Sequence, residues 1–235
     1  MEKKNPIIGV IGGMSTASSD YSKKLIYDLY RKETNGEHCP CLLSVDLDMC
    51  EIERLQKAGD KEALFQKLSF AATCIKQADF AVLCTNTMHE FSSAVSDVLP
   101  FLDIRKITAD AVRAKGIECV GLLGTAYTME SDFYKSALEK YGLKVVVPDR
   151  EDREVVHRMI YDELIKGEVT MEARFVLTNI IALVQEKGAK GIILGCTELP
   201  LLLDSPWIFT RSGSAVLFNT TRLQAEAAVR YALNV

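Results

Sequence analysis

Two cysteines stand where a thiol could serve as a base. Cys84 lies in Leu83-Cys84-Thr85-Asn86-Thr87-Met88-His89, and Cys196 in Leu194-Gly195-Cys196-Thr197-Glu198-Leu199-Pro200. Each stretch follows a short apolar run, Phe80-Ala81-Val82-Leu83 or Gly191-Ile192-Ile193-Leu194, and each leads into residues able to start a helix. A thiolate is the reactive species, and a free Cys with a pKa of about 8.5 is only slightly ionised at neutral pH. A strand-to-helix junction is expected to lower that value, because exposed helix N–H groups favour negative charge. The same N–H groups, with side-chain donors from Asn86, Thr87, Thr125, Thr128 and Thr197, would cradle a carboxylate. Holding the carboxylate also stabilises the enediolate-like carbanion formed when the neighbouring C–H loses its proton. The expected chemistry is proton abstraction α to a carboxylate, without cofactor or metal.

The two stretches occupy matching places in an internal repeat. Ile7-Ile8-Gly9-Val10-Ile11-Gly12-Gly13-Met14 resembles Cys119-Val120-Gly121-Leu122-Leu123-Gly124-Thr125, and the separations Gly12 to Gly124 and Cys84 to Cys196 are both 112 positions. A duplicated half-domain accounts for this. Two like halves facing across a cleft would present similar groups to opposite faces of one small molecule.

The elements that must position these groups are readable from periodicity. Strands are predicted over 7–11, 42–45, 80–83, 101–104, 119–123, 144–147, 191–194 and 215–218. Helices are predicted from about 15 to the stop at Gly36, from Asp60 through Ile75, and over 90–98, 109–115, 129–141, 151–166, 171–187 and 222–233. Residues 46–59, containing Arg54, read as an acidic irregular loop, and 125–128 as a second loop. Alternating strands and helices mean an α/β fold with parallel sheets, here two pseudo-symmetric domains, each with a four-stranded sheet. The domains are placed at 1–105, with a C-terminal helix 219–235 packing back, and at 106–218. Ligands in such folds bind at the carboxyl ends of strands, where both thiol stretches, Gly12-Gly13-Met14 and Thr125 fall.

Composition excludes several classes. With 48% hydrophobic and 26% charged residues in 235, the chain reads as globular. A net charge of −4 and basic runs no longer than pairs such as Lys3-Lys4 and Lys23-Lys24 argue against a nucleic-acid surface. No apolar run approaches the roughly 20 residues of a membrane span, and the N-terminus lacks a signal-type apolar region, so a cytoplasmic protein is expected. Seven cysteines fit reduced thiols, most of them small buried hydrophobes. His38-Cys39-Pro40-Cys41 lacks zinc-site spacing, and Gly9, Gly12 and Gly13 lack the dinucleotide-binding order. His89 reads either as an acid–base group or as a capping residue.

Taken together, Gly9-Val10-Ile11-Gly12-Gly13-Met14, Asn86-Thr87-Met88-His89, Leu122-Leu123-Gly124-Thr125-Ala126-Tyr127-Thr128-Met129 and Gly195-Cys196-Thr197-Glu198-Leu199 resemble the cofactor-independent aspartate/glutamate racemases over essentially the whole chain. The resemblance implies a site in the interdomain cleft, a homodimer, an amino acid or dicarboxylate as ligand, and two thiols exchanging an α-proton. It implies Cys196 as one catalytic thiol, Thr85 in the place of the other, and a ligand pocket drawing on Met14, Asn86, Thr87, Thr125, Thr128, Thr197 and Glu198. In that family the first thiol directly precedes Asn-Thr; here Thr85 does, with Cys84 one residue earlier. The motif pairs Thr85 with Cys196 while the repeat offset pairs Cys84 with Cys196, and consecutive strand-end side chains point opposite ways. The motif is followed, as in a subgroup with a Thr/Cys pair. Threonine is too weak an acid to form an appreciable alkoxide, so L-substrates, the ones the second-half cysteine handles in the family, should be deprotonated preferentially.

Asn219 and Gln224 stand where relatives commonly carry Asp and His. Lys166 matches the place of a distal-carboxylate lysine and equally suits a helix C-terminus; Arg54 is a second cation candidate. Rival readings are a thiol-dependent isomerase or decarboxylase of the same superfamily, and a catalytically silent dicarboxylate-binding homologue.

Overall fold

A computed structural model describes residues 6–203 and 205–234. Residues 1–5, with the Lys3-Lys4 pair and the expected leaderless start, lie outside the described residues. The chain divides into two compact units, Met1–Ile104 with Gln224–Val235, and Arg105–Leu223. The first contains β1 (Ile7–Gly12), α1 (Thr16–Glu33), β2 (Cys41–Asp46), α2 (Met49–Ala58), α3 (Lys61–Cys74), β3 (Phe80–Leu83) and the short α4 (Ser93–Ser96). α5 (Ile104–Ala114) leads into the second unit, which contains β4 (Cys119–Leu123), α6 (Ala126–Glu130), α7 (Asp132–Glu139), β5 (Lys144–Val146), α8 (Arg150–Arg158), α9 (Met171–Glu186), β6 (Gly191–Leu194), β7 (Trp207–Thr210) and β8 (Gly213–Asn219). The division falls inside α10 (Thr220–Leu233), the helix the sequence reading assigned to the first half.

The first sheet has the order β2-β1-β3 and is parallel throughout. Its two faces follow from alternation along the strands. Ile8, Val10, Phe80 and Val82 join Ile26, Tyr30 and the α10 residues Ala225, Ala228 and Val229 in one buried cluster. Ile11, Ala81 and Leu83 join Leu64, Leu68, Ala71 and Ala72 of α3 in another. A Leu, Ile, Val or Phe fully buried in this way contributes about 1.5–3 kcal/mol, which anchors the strand ends firmly. The second sheet, β5-β4-β6-β8-β7, is parallel except for β7, which runs antiparallel to β8.

The two sheets are therefore three- and five-stranded rather than both four-stranded. Segment 101–104 makes a single bridge, Phe101 to Ala81, because Pro100 precedes it and α5 begins at Ile104. In the second unit Trp207–Thr210 folds back on β8 through a tight turn at Arg211-Ser212, with Gly213 at φ 108°, a conformation glycine adopts without penalty. Nor is 46–59 irregular. It is mostly α2, capped by the Asp48 side chain on the Glu51 N–H, with Ile52 and Leu55 buried at helical spacing.

Among the described residues no helix is long and apolar enough to cross a membrane. Groups of metal-ligating side chains are likewise absent among them, and Cys39 and Cys41 are both exposed.

Candidate active site

Strand register settles which residues are equivalent in the two units. Ile11 pairs with Leu83, and Leu123 pairs with Leu194. The next N–H in each case returns to the central strand, Cys84 to the Ile11 carbonyl at 2.8 Å and Gly195 to the Leu123 carbonyl at 2.7 Å. Cys84 is thus the counterpart of Gly195, and Thr85 that of Cys196. The simple 112-residue offset fails because the second unit is one residue shorter between these strands.

The side chain of Cys84 continues the face of Phe80 and Val82 into the buried cluster beneath α1 and α10. Burial pushes its thiol up to about 11, partly offset by a hydrogen bond with Ser22 and the charge of Lys23. A core thiol of this kind is inert at neutral pH.

Thr85 is half-buried, and its hydroxyl lies 3.3 Å from that of Thr87. Gln56 of α2 donates to the Thr87 hydroxyl at 3.2 Å. Nothing in the sequence marks Gln56, which lies in the stretch 46–59 whose residue pattern suggests a loop. Arg54, two residues away, is exposed. Asn86 is buried and starts a 3-10 turn over Thr87–Phe91. His89 is fully buried and both its ring nitrogens are engaged: Nε2 accepts the Ile104 N–H at 3.2 Å, so Nδ1 carries the proton and donates to the Thr85 carbonyl at 2.7 Å. Of its two sequence readings the structural one applies; His89 clamps the backbone of Thr85. Met14 packs half-buried on the α3 cluster, just past Gly13, whose amide donates to the Ser19 hydroxyl at 2.8 Å.

In the second unit Cys196 is buried, 7% exposed, and its Sγ donates to Oε2 of Glu198 at 3.0 Å. The Thr197 hydroxyl donates to the same oxygen at 2.7 Å. Glu198 is itself 7% exposed, and its Oε1 has no hydrogen-bond partner among the described residues. A buried carboxylate oxygen without a donor is costly, which marks it as a place where a proton or a ligand N–H belongs.

The junction does not lower the thiol pKa. Burial first, and then the Glu198 charge, hold Cys196 well above the usual thiol value. The expected helix dipole is missing because β6 leads only to a 3-10 turn at Leu199–Leu201.

Residues 125–128 are not a loop either. Thr125 caps α6, its hydroxyl taking the Thr128 N–H at 3.4 Å and lying 3.3 Å from the Thr128 hydroxyl. Two glycines bring this turn onto the strand end that carries Cys196. A Cβ on Gly195 would stand 3.3 Å from Thr128 Cγ2, and one on Gly124 only 2.9 Å from the Gly195 carbonyl oxygen. Thr220 fixes the same strand end by donating to the Leu194 carbonyl at 2.9 Å.

Asn219 and Gln224 both have structural employment. Asn219 Oδ1 accepts the Arg222 N–H at 3.1 Å, capping α10, and buried Gln224 donates to the Leu102 carbonyl at 3.3 Å. Lys166 is exposed at the end of a 3-10 turn stopped by Gly167 in the left-handed region.

Residues 11–206 match the Asp/Glu/Hydantoin racemase family. Among solved structures, a candidate Asp/Glu racemase of Yersinia pestis is 39% identical, with 97% of this chain and 99% of that one covered and a TM-score of 0.87. An aspartate racemase homologue of Pyrococcus horikoshii is 30% identical, with the same coverage and a TM-score of 0.82. At 20% identity and a TM-score of 0.68, covering 97% of this chain and 94% of the other, an aspartate racemase of Picrophilus torridus shares the fold.

Proposed function

Since the chain belongs to the Asp/Glu/Hydantoin racemase family, we propose that it is a cofactor-independent amino-acid racemase acting on aspartate or glutamate, with Cys196 as its base. The observation that carries this reading is the buried Sγ–H to Oε2 contact of 3.0 Å between Cys196 and Glu198. A thiol held above its usual pKa is a poor base by itself. An adjacent carboxylate changes that. The Sγ–H bond breaks as an O–H bond forms on Glu198, leaving a thiolate without losing a proton to solvent. The thiolate then takes the α-proton, and the C–H electron pair passes into an enediolate. The Thr125 and Thr197 hydroxyls are assigned to the substrate carboxylate, with the fully buried Thr128 hydroxyl, 3.3 Å from that of Thr125, holding it in place. Return of a solvent-exchanged proton from the Cys196 thiol to the same face gives exchange; inversion takes a proton from water on the other face, and the hydroxide left is neutralised by the Glu198 carboxylic acid as the pair resets.

Thr85 supplies no second base, because a hydroxyl is several pKa units less acidic than a thiol. In the family this chain resembles, the second-half cysteine handles the L-enantiomer, so the proposal includes a bias toward L-substrates. Incubation in D2O with each enantiomer of aspartate and glutamate, followed by NMR at the α-position, tests this. Deuterium should enter the L-enantiomers readily and the D-enantiomers at least roughly tenfold more slowly. Equal rates would remove the assignment of Thr85, and no exchange from any of the four would remove the racemase reading.

Lys166 is assigned to the distal carboxylate. Lys166→Met should raise KM for aspartate and glutamate by about tenfold, the value of one exposed charge-assisted contact, and leave KM for alanine unchanged. Parallel changes for all three substrates would contradict the role. A homodimer completes the proposal and is checked by light scattering across a concentration series.

A further inference from the structure

α6 has only five residues, Ala126–Glu130, and a helix so short has no stability of its own. Something must hold it where Thr125 and Thr128 meet the β6 strand end, and α8 does so at two points. Near the far end, Arg153 Nε contacts Glu130 Oε1 at 3.0 Å and its Nη1 donates to the Pro148 carbonyl at 2.9 Å. One helical turn further along α8, the Ala126 N–H donates to Nδ1 of His157 at 3.3 Å. This amide belongs to the first turn of α6, where backbone donors lack intrahelical partners.

His157 is half-buried and its ring lies 4.7 Å from that of Tyr161. Tyr161 sits in a π-helical segment, Met159–Glu163, that directly continues α8. Widened turns of that kind recur at functional sites, where they re-aim side chains that a regular helix would place elsewhere. Here the wide turn carries the ring that backs His157. The result is an imidazole on α8 with one nitrogen placed as acceptor for the first amide of the turn that carries Thr125 and Thr128.

We infer that His157 is a positioning residue for substrate binding: its Nδ1 holds the first amide of α6 so that the Thr125 hydroxyl, backed by the fully buried Thr128, faces the substrate carboxylate. The inference rests on the assignment of the Thr125 hydroxyl to the substrate carboxylate in the proposed racemase reaction. It places His157 outside the proton transfer itself, so the effect of losing it falls on binding.

Two substitutions separate this role from general packing. Asn presents an acceptor oxygen close to the place of Nδ1, whereas Leu fills similar space without one. His157→Leu should raise KM for L-aspartate or L-glutamate by roughly five- to tenfold, the value of one hydrogen bond, with kcat within about twofold. His157→Asn should restore KM to within about twofold of the parent. Equal KM in the Asn and Leu variants, or a fall confined to kcat, would overturn the role. Amide hydrogen exchange over residues 125–131 provides a readout that needs no turnover. Exchange there should accelerate by roughly five- to tenfold in the Leu variant and stay near the parent rate in the Asn variant. If the parent protein turned over no amino acid while this exchange pattern held, the racemase reading would fail and the structural latch would stand. Unchanged exchange in the Leu variant would remove the latch itself.

Discussion

Cys196→Ser should lower α-proton exchange by roughly 10³–10⁴-fold for every substrate, the span expected when a positioned base is lost. The substitution is nearly isosteric, and a hydroxyl can still donate to Glu198 as the thiol does at 3.0 Å. What changes is the acid strength of the group that must ionise, since an alcohol is many pKa units weaker than a thiol and Glu198 is too weak a base to take its proton. Thermal unfolding reports whether the fold survives. The midpoint should move by only a few degrees, because surroundings that tolerate a buried S–H hydrogen-bonded to a carboxylate tolerate O–H in the same place. A variant that is folded and retains more than about a tenth of parent exchange would mean that another group removes the proton. Cys84 cannot be that group while its thiol is pushed up to about 11 in the core.

Glu198→Gln should cost about 10²–10³-fold near neutral pH, and it should change the shape of the pH profile. In the parent, the resting pair of thiol and carboxylate holds the same number of protons as the reactive pair of thiolate and carboxylic acid. The reactive fraction is then independent of pH, and exchange should be flat across the neutral range. The amide cannot accept the proton, so the variant must lose it to solvent. Its kcat/KM should rise about tenfold per pH unit until the thiol titrates. Removing the Glu198 charge relieves one cause of the raised Cys196 pKa, but burial, the larger cause, remains. The thiol therefore stays protonated at neutral pH and the rise continues well into the alkaline range. A flat profile in the variant would show that Glu198 does not accept the thiol proton. Measuring exchange from L-glutamate between about pH 6 and 9, where parent and variant remain folded by circular dichroism, makes the comparison direct.

Much of the fold was legible because its signals are local. β3, β4 and β6 run over 80–83, 119–123 and 191–194, the ranges expected from their apolar runs, since a fully buried strand needs nothing but side chains that suit both faces. Glycine stops were equally readable, with Gly36, Gly142, Gly167 and Gly188 all at positive φ. α2 was missed because its apolar positions, Ile52 and Leu55, are few and sit among charges; only packing against α3 makes them a buried face. Segment 101–104 was misread for the opposite reason. Its residues suit a strand, but the chain turns into α5 before more than one bridge can form.

The candidate site divides the same way. Residue types and motif order singled out Cys196, Thr85, Thr125, Thr128 and Thr197 as candidates, since thiols and hydroxyls at strand ends are legible wherever strands are. The register of β3 on β1 and of β6 on β4 decided that Thr85 rather than Cys84 is the counterpart of Cys196, because one residue along a strand reverses the face a side chain takes. Only tertiary packing decided the sign of the thiol pKa. The sequence put a helix start beside Cys196, whereas the folded chain surrounds it with apolar side chains and the Glu198 carboxylate, and burial and like charge both favour the protonated form. His157 and Gln56 became visible only there as well. Their partners, Ala126 and Thr87, lie 31 positions away in each case, and a single hydrogen bond across that distance leaves no pattern in the order of residues.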